Sequence, residues 1–204
     1  MRVGEVFFKY RSYSPIPLIV AALILARPTW FRFGAGFLLM LLGETIRFWG
    51  VAYAGSATRT TGGVGGKRLV TDGPFGYVRN PLYVGNFFLS FGALIMSWAW
   101  MPWMVLVLIF LFGIQYSFIV HLEEGYLSRQ FGKSYRDYQT NVPRWIPRMR
   151  AYSSPEKSVP NYPKALRSER NTFQAILTVC GLLLIRWHLY EFSRAFKIHF
   201  DHCR

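Results

Sequence analysis

Polar and turn-forming residues border the longest uncharged tract of the sequence: Arg79-Asn80-Pro81 before it and Glu123-Glu124 after it. The tract itself, residues 81–120, contains no Asp, Glu, Lys or Arg. An arginine and two carboxylates beside an apolar tract can bind the charged and hydrogen-bonding groups of a polar ligand. The simpler interpretation is that the glutamates face water or pair with Arg79 or Arg129.

This tract is too long to be one membrane-spanning helix. At about 1.5 Å per residue its length would be roughly 60 Å, whereas the hydrocarbon core of a bilayer is about 30 Å thick. Pro102 and the tryptophans around it are typical of an interfacial turn. We therefore predict two spans, 80–98 and 101–121. They form a hairpin (80–121) that returns the glutamates to the membrane face of Arg79.

A second apolar hairpin is predicted over 16–54, with its turn at Pro28. Its longer arm carries Glu44 and Arg47, which are three residues apart and therefore lie on one face of a helix. The pair is either a structural ion pair that holds helices together or the polar wall of a substrate cavity. A cleaved signal peptide over 1–26 is disfavoured because no small-residue cleavage site is present.

The C-terminal part divides into a capping segment, a linker and a last helix. Aromatic residues and bracketing prolines in 122–148 favour a compact segment over the mouth of the hairpin. Residues 151–170 are rich in Ser, Pro, Lys and Arg and are predicted to be a linker. Residues 171–204 begin with an apolar run and either span the membrane or lie in its interface. The predicted fold class is all-α, an integral membrane helical bundle of about five transmembrane helices with its membrane domain over 1–150.

The distribution of positive charge predicts the orientation of the bundle. The chain has 24 Lys and Arg against 10 Asp and Glu, a formal net charge of +14. With the N-terminus in the cytoplasm, the basic residues fall in the inside segments 1–15, 55–80 and 121–170, whereas the two outside turns carry only Arg27 and Arg32. This is the positive-inside pattern, and anionic membrane lipids are the partners it implies. No nucleic acid is needed to explain the charge, since no nucleic-acid-binding module is recognisable.

Other familiar chemistries lack their motifs. The four histidines have no metal-ligand spacing, no CxxC is present, and neither GxSxG nor GxGxxG occurs, so no metal is predicted. The glycine-rich stretch 61–68 fails the Walker pattern at both ends and is predicted to be a flexible loop.

The ordered motifs resemble those of a known family. Arg79-Asn80-Pro81-Leu82-Tyr83-Val84-Gly85 is similar to the RHPxYxG element of the isoprenylcysteine carboxyl methyltransferase family and its phospholipid methyltransferase relatives. Glu123-Glu124 corresponds to the second element of the family, and FGxxYxxY at 131–138 with VPRWIP at 142–147 to the third. The resemblance covers roughly residues 40–148. It implies an integral-membrane methyltransferase that uses S-adenosylmethionine and acts on a lipid-like or prenylated acceptor.

The resemblance also implies the roles of individual residues. The cofactor would be bound at the cytoplasmic helix mouth by three groups: Arg79, Asn80, Pro81, Tyr83 and Gly85; Glu123 and Glu124; and, closing over it, Tyr135, Tyr138 and Trp145. The acceptor would enter sideways from the bilayer into a cavity near Glu44, Arg47 and Trp49. Arg47, Glu123 and Glu124 are the candidates for catalysis.

One position departs from the family pattern, because Asn80 replaces the usual histidine. Asparagine donates and accepts hydrogen bonds but cannot shuttle a proton near neutral pH. A carboxylate acceptor needs no base, whereas an amine acceptor would require Glu123 or Glu124. Three alternatives remain open: a phospholipid or small amine or thiol methyltransferase, an NADPH-dependent membrane reductase, and a non-catalytic membrane protein.

Overall fold

The computed structural model of the protein describes residues 3–11, 13–55, 68–153 and 157–202, with side chains described between residues 4 and 192 of these ranges. Those residues form six α-helices and no strand: α1 Val3–Tyr10, α2 Ile16–Ile24, α3 Trp30–Ala54, α4 Pro81–Ser97, α5 Trp103–Asn141 and α6 Tyr162–His202. A short 3-10 helix, Gly73–Gly76, precedes α4. The predicted all-α class is confirmed. The glycine-rich loop predicted over 61–68 lies outside the described residues except for its last position.

Three helices in the described part of the chain are long and apolar enough to cross a membrane: α3, α5 and the Tyr162–Phe192 part of α6. Helix α4 is apolar but shorter, with 17 residues. Helix α2 has only nine residues. At about 1.5 Å per residue α2 is too short to cross a hydrocarbon core of about 30 Å. Helix α2, the first arm of the hairpin predicted over 16–54, is therefore not long enough to be a membrane span by itself.

Helices α3 and α4 pack with their backbones in contact, because glycines face each other along the seam. A methyl group added at Gly36 would lie 2.5 Å from the backbone nitrogen of Met96, and one added at Gly43 would lie 2.6 Å from the carbonyl oxygen of Gly85. Such approach is typical of helices that pack inside membranes. An apolar cluster that includes Met40 of α3, Met96 of α4 and Leu183 of α6 packs along the same seam.

Helices α4 and α5 form a hairpin whose turn contains Pro102. Helix α4 ends at Ser97, and Trp98 and Trp100 then adopt left-handed backbone conformations with φ of 50° and 43°. Helix α5 begins directly after Pro102. The polar residues that flank the hairpin are thus at one end of the bundle.

Two boundaries differ from the sequence-based expectation. Helix α5 continues as far as Asn141, interrupted at Gly132, so most of the capping segment 122–148 is helical. Helix α6 begins at Tyr162 rather than at 171. The reason is an N-cap: the side-chain oxygen of Asn161 accepts a hydrogen bond of 2.9 Å from the backbone nitrogen of Lys164. The backbone nitrogen of Asn161 also donates to the carbonyl oxygen of Ala52 at 2.8 Å, which fixes this start against α3.

Candidate functional site

The segment after α5 docks along the turn that leads into α4. Three backbone hydrogen bonds join them: Arg79 N donates to Pro143 O at 2.9 Å, Arg148 N to Tyr77 O at 3.0 Å, and Tyr152 N to Gly76 O at 2.8 Å. Gly73, with φ of 57°, allows the chain to turn sharply into the 3-10 helix. We call residues 142–152 the cap. It lies over the mouth of the α4–α5 hairpin and is held against the charged, turn-forming stretch before α4.

Asn80 holds this cap in place. Its side-chain nitrogen donates to the carbonyl oxygen of Arg144 at 3.1 Å. It occupies the residue before α4 without capping the helix through its side chain. Pro81 then starts the helix at a position where a missing N–H costs nothing, and it is fully buried. In this structure the Asn80 side chain ties the start of α4 to the segment after α5.

Glu124 is the centre of a buried charge cluster beneath the cap. The guanidinium of Arg144, in the cap, forms two hydrogen bonds with the Glu124 carboxylate: Nε donates to Oε1 at 3.1 Å and Nη2 donates to Oε2. Arg79 approaches from the α4 side, with Nη1 3.5 Å from Oε1. Gln139 donates weakly to Oε2 at 3.4 Å. The predicted alternative of a pair with Arg79 is confirmed, and Arg144 is a stronger partner that the sequence did not indicate.

Arg79 keeps one unused donor in this cluster. Its Nε atom is buried and finds no hydrogen-bond acceptor among the described residues, whereas Nη1 has only the ion-pair contact with Glu124 Oε1. Buried donors without acceptors are rare in folded proteins, because they lose the hydrogen bonds that water would give them. The arrangement can accept a carboxylate or a similar anionic group.

Glu123 points to a different partner from its neighbour. The hydroxyl of Tyr83 on α4 donates to Glu123 Oε1 at 2.7 Å, so this carboxylate bridges the two arms of the hairpin. Trp145 of the cap belongs to the same apolar cluster as Tyr83 and Leu122. Glu123, Tyr83 and Trp145 thus form a second, more apolar side of the helix mouth.

Tyr135 and Tyr138, on the polar part of α5 beyond Gly132, anchor the cap to the end of α5. Both are buried, at 2% and 3% exposure, and they pack with Val142. The Tyr138 hydroxyl donates to the carbonyl oxygen of Phe75 at 2.8 Å. Burial raises the pKa of both phenols, so both stay neutral.

A second polar group lies deeper, between α3, α4 and α6. The i, i+3 pair forms, with Arg47 Nε 3.5 Å from Glu44 Oε2. Arg47 Nη2 also donates to Glu169 Oε2 of α6 at 2.8 Å, and Arg47 Nη1 donates to Asn86 Oδ1 of α4. A methyl group at Gly85 would lie 2.5 Å from Arg47 Cγ, so the close approach that Gly85 permits is that of α3.

Trp49, the third residue expected beside the acceptor, lies nearer the mouth. Its ring centroid is 6.0 Å from that of Tyr77, and the side chain is partly exposed on the surface of α3. It therefore borders the turn before α4, while Arg47 and Glu44 lie further into the bundle.

Four polar residues join these groups without having been singled out from the sequence: Asn86, Tyr116, Arg144 and Glu169. Asn86 and Tyr116 are polar positions within the uncharged tract, which is the signal that could have revealed them. Arg144 lies inside the VPRWIP motif. Glu169 fell in the predicted linker, so nothing indicated its burial. In the described part of the chain no group of three or more His, Cys, Asp or Glu side chains is arranged to hold a metal ion.

The fold and the site define a class: a helical membrane protein with a capped, charge-lined site at the mouth of a helical hairpin. The phospholipid methyltransferase family model matches residues 31–134, about half of the chain, and the chain belongs to that family. Those residues include α3, α4 and both glutamates of the site.

Three curated relatives share parts of the sequence. Protein-S-isoprenylcysteine O-methyltransferase of Schizosaccharomyces pombe is 37% identical over 39% of this chain and 33% of its own length. The nickel-cobalt-cadmium resistance protein NccN of Alcaligenes xylosoxydans xylosoxydans is 30% identical over 56% of this chain and 51% of its own. The cobalt-zinc-cadmium resistance protein CzcN of Cupriavidus metallidurans is 27% identical over 67% and 62%.

The chain thus spans between a third and just over three fifths of the length of these relatives. No solved structure gives a significant match to it.

Proposed function

We propose that the protein is a membrane methyltransferase that uses S-adenosylmethionine and methylates a lipid-like or prenylated acceptor, with carboxyl O-methylation of the isoprenylcysteine type as the leading reaction. The observation that carries the proposal is the buried guanidinium of Arg79, whose Nε has no acceptor among the described residues while its Nη1 pairs with Glu124 at the capped mouth of the hairpin. The family membership of the chain supports the reaction class.

The donor set suits the cofactor. S-adenosylmethionine presents a carboxylate, an ammonium group and a ribose diol, and it supplies a methyl group bound to a positively charged sulfur. The unpaired Nε–H of Arg79 suits the carboxylate. Glu124 and Glu123 offer oxygens that accept from the ammonium or the ribose hydroxyls. Trp145 and Tyr83 provide an apolar side that excludes water.

Transfer of a methyl group from sulfur requires alignment more than proton transfer. A carboxylate acceptor is already ionised, so a site without a histidine at position 80 can carry out this reaction. An amine acceptor would have to lose a proton, and Glu123, hydrogen-bonded to Tyr83, is the carboxylate placed to take it. The acceptor would approach through the bilayer on the side of Arg47 and Glu44.

We place the N-terminus and the active site in the cytoplasm. The distribution of Lys and Arg supports this orientation. The cap that closes the helix mouth carries several of these basic residues, and in this orientation it would contact anionic lipids at headgroup level.

The first test is calorimetric titration of the detergent-purified protein with S-adenosylhomocysteine and, separately, with NADPH. We expect the homocysteine product to bind and NADPH to give no signal. Arg79→Ala and Glu124→Gln should each weaken this binding at least about tenfold, or about 1.4 kcal/mol, because each removes a charged partner of the ligand. Arg129→Ala is the control, since Arg129 is an exposed arginine of the same helix as Glu124.

Each other outcome has a definite meaning once circular dichroism shows a folded protein. Unchanged affinity in both variants would refute the site assignment. Binding of NADPH alone would indicate a reductase. Binding of neither ligand would identify a non-catalytic membrane protein.

A further inference from the structure

A chain of buried polar contacts connects α6 to the proposed cofactor site. It starts at Glu169, which has 0% exposure and lies outside the residues 31–134 that the family model matches. Glu169 Oε2 accepts from Arg47 Nη2 at 2.8 Å and from Thr172 Oγ1 at 2.7 Å. A carboxylate buried to this extent in a membrane bundle is expensive, and its partners determine what it does.

In the next contacts the chemistry of the side chains decides which group donates and which accepts the hydrogen bond. A guanidinium can only donate, so Arg47 requires Asn86 to present its carbonyl oxygen. The amide nitrogen of Asn86 is thereby turned towards α5, where it donates to the Tyr116 hydroxyl at 3.0 Å. The orientation of the Asn86 side chain is therefore set by the Arg47–Glu169 pair and not by its own helix.

The last contacts reach the helix mouth. The ring centroids of Tyr116 and Tyr83 are 4.5 Å apart, so a rotation of one ring displaces the other. The Tyr83 hydroxyl donates to Glu123 at 2.7 Å. The contacts run without a gap from α6 through α3, α4 and α5 to a carboxylate of the site.

We propose that Glu169 is a positioning residue of the methyl-transfer site. Acting through Arg47, Asn86 and Tyr116, it holds Tyr83 and Glu123 in the geometry that binds the cofactor. The inference rests on the function proposed above. Without the Glu169 carboxylate, Arg47 keeps Glu44 as its charged partner, and its flexible side chain turns towards that residue. The Asn86 amide and the Tyr116 ring then lose the contact that orients them.

The alternative is that Glu169 only anchors α6 to α3. A double-mutant cycle separates the two roles because an anchor changes stability, whereas a positioning residue shows coupling to the site. Affinity for S-adenosylhomocysteine is measured by calorimetry in the wild type, Glu169→Gln, Tyr83→Phe and the double variant. We expect each single variant to weaken binding about fivefold and the double variant to bind about as weakly as Tyr83→Phe alone.

Cys180→Ala is the matched control. Cys180 is a buried residue of α6 in a different cluster, with Met40 and Ile176, so the variant perturbs α6 packing without touching the polar chain. It should lower the thermal midpoint and leave the affinity unchanged. If Glu169→Gln does not fold, Thr172→Val takes its place in the cycle, because it removes the hydroxyl that fixes the Glu169 carboxylate.

Losses that simply add in the double variant, or an unchanged affinity in Glu169→Gln, would overturn the positioning role and leave the proposed function intact. A folded wild type that binds no S-adenosylhomocysteine would overturn the proposed function, and the inference would fall with it. The wild-type arm thus tells the two failures apart.

Discussion

The adjacent glutamates 123 and 124 have separate tasks because consecutive residues of a helix point about 100° apart. Glu124 faces the cap and pairs with both Arg144 and Arg79. Glu123 faces α4 and accepts a hydrogen bond from the Tyr83 hydroxyl. One carboxylate therefore belongs to the charged side of the helix mouth and the other to its apolar side. An extended ligand with one polar and one apolar end would be oriented by this difference.

Arg144 makes the clearest prediction for a single residue. Replacement by Lys keeps the positive charge but loses the planar fork that contacts both oxygens of Glu124. We expect Arg144→Lys to weaken S-adenosylhomocysteine binding roughly tenfold, about 1.4 kcal/mol, because Glu124 loses its fixed orientation. Calorimetry checks this. Arg136→Lys, on the exposed surface of α5, should bind like the wild type, and an equal loss in both variants would contradict the assignment.

The contact between α3 and α4 depends on small residues. Gly36→Ala places a methyl group 2.5 Å from the backbone nitrogen of Met96, and a backbone cannot move aside as a side chain can. We expect the free energy of unfolding to fall by about 1–3 kcal/mol, the usual cost of overpacking. Thermal unfolding in detergent, followed by circular dichroism, measures the change.

Gly34→Ala is a control in the same helix, since nothing lies within 4 Å of the added methyl group. Alanine favours a helix over glycine by up to about 1 kcal/mol, so this variant should match the wild type or exceed it in stability. Equal destabilisation of the two variants would mean that the seam is not as close as the structure has it.

Gly132 interrupts α5, and the kink there directs the last turns of the helix towards the cap. Its backbone, with φ of 51° and ψ of −118°, belongs to a region that residues with a side chain rarely adopt. Nothing lies within 4 Å of an added methyl group, so Gly132→Ala acts through backbone strain alone. We expect weaker S-adenosylhomocysteine binding because Tyr135 and Tyr138 shift with the helix. Gly113→Ala, at an unstrained and open position of α5, should bind normally.

At the scale of the whole molecule, the orientation in the membrane is open to direct measurement. Met149 in the cap is 96% exposed, and Phe31 at the opposite end of the bundle is 85% exposed. After Cys180 and Cys203 are replaced by Ser, a single cysteine is introduced as Met149→Cys or Phe31→Cys. A membrane-impermeant maleimide should label position 149 only in inside-out vesicles and position 31 only in intact cells. The reverse pattern would place the site outside the cytoplasm.

Much of the architecture follows from local sequence. An apolar run in a bilayer must form a helix, since no water is available for its backbone, and the length of hydrocarbon then fixes where it turns. Pro81 marks the start of the α4–α5 hairpin and Pro102 its turn, for the same local reasons. The early start of α6 was missed, although Asn161 followed by Pro163 is a local signal for it.

The sequence by itself determined the helical class, the α4–α5 hairpin, the Glu44–Arg47 pair and the placing of Arg79 beside Glu124, because each depends on residues within one helix or on the ends of one hairpin. The tertiary structure decided which partner each charge takes. Arg144 reaches Glu124 only when the chain after α5 folds back, and Glu169 reaches Arg47, 122 residues away, only when α6 packs on α3. Ion pairs of this kind form only once the helices have packed against each other. Helix packing is specified by the shape of whole helix surfaces, so no spacing of residues along the sequence reveals it.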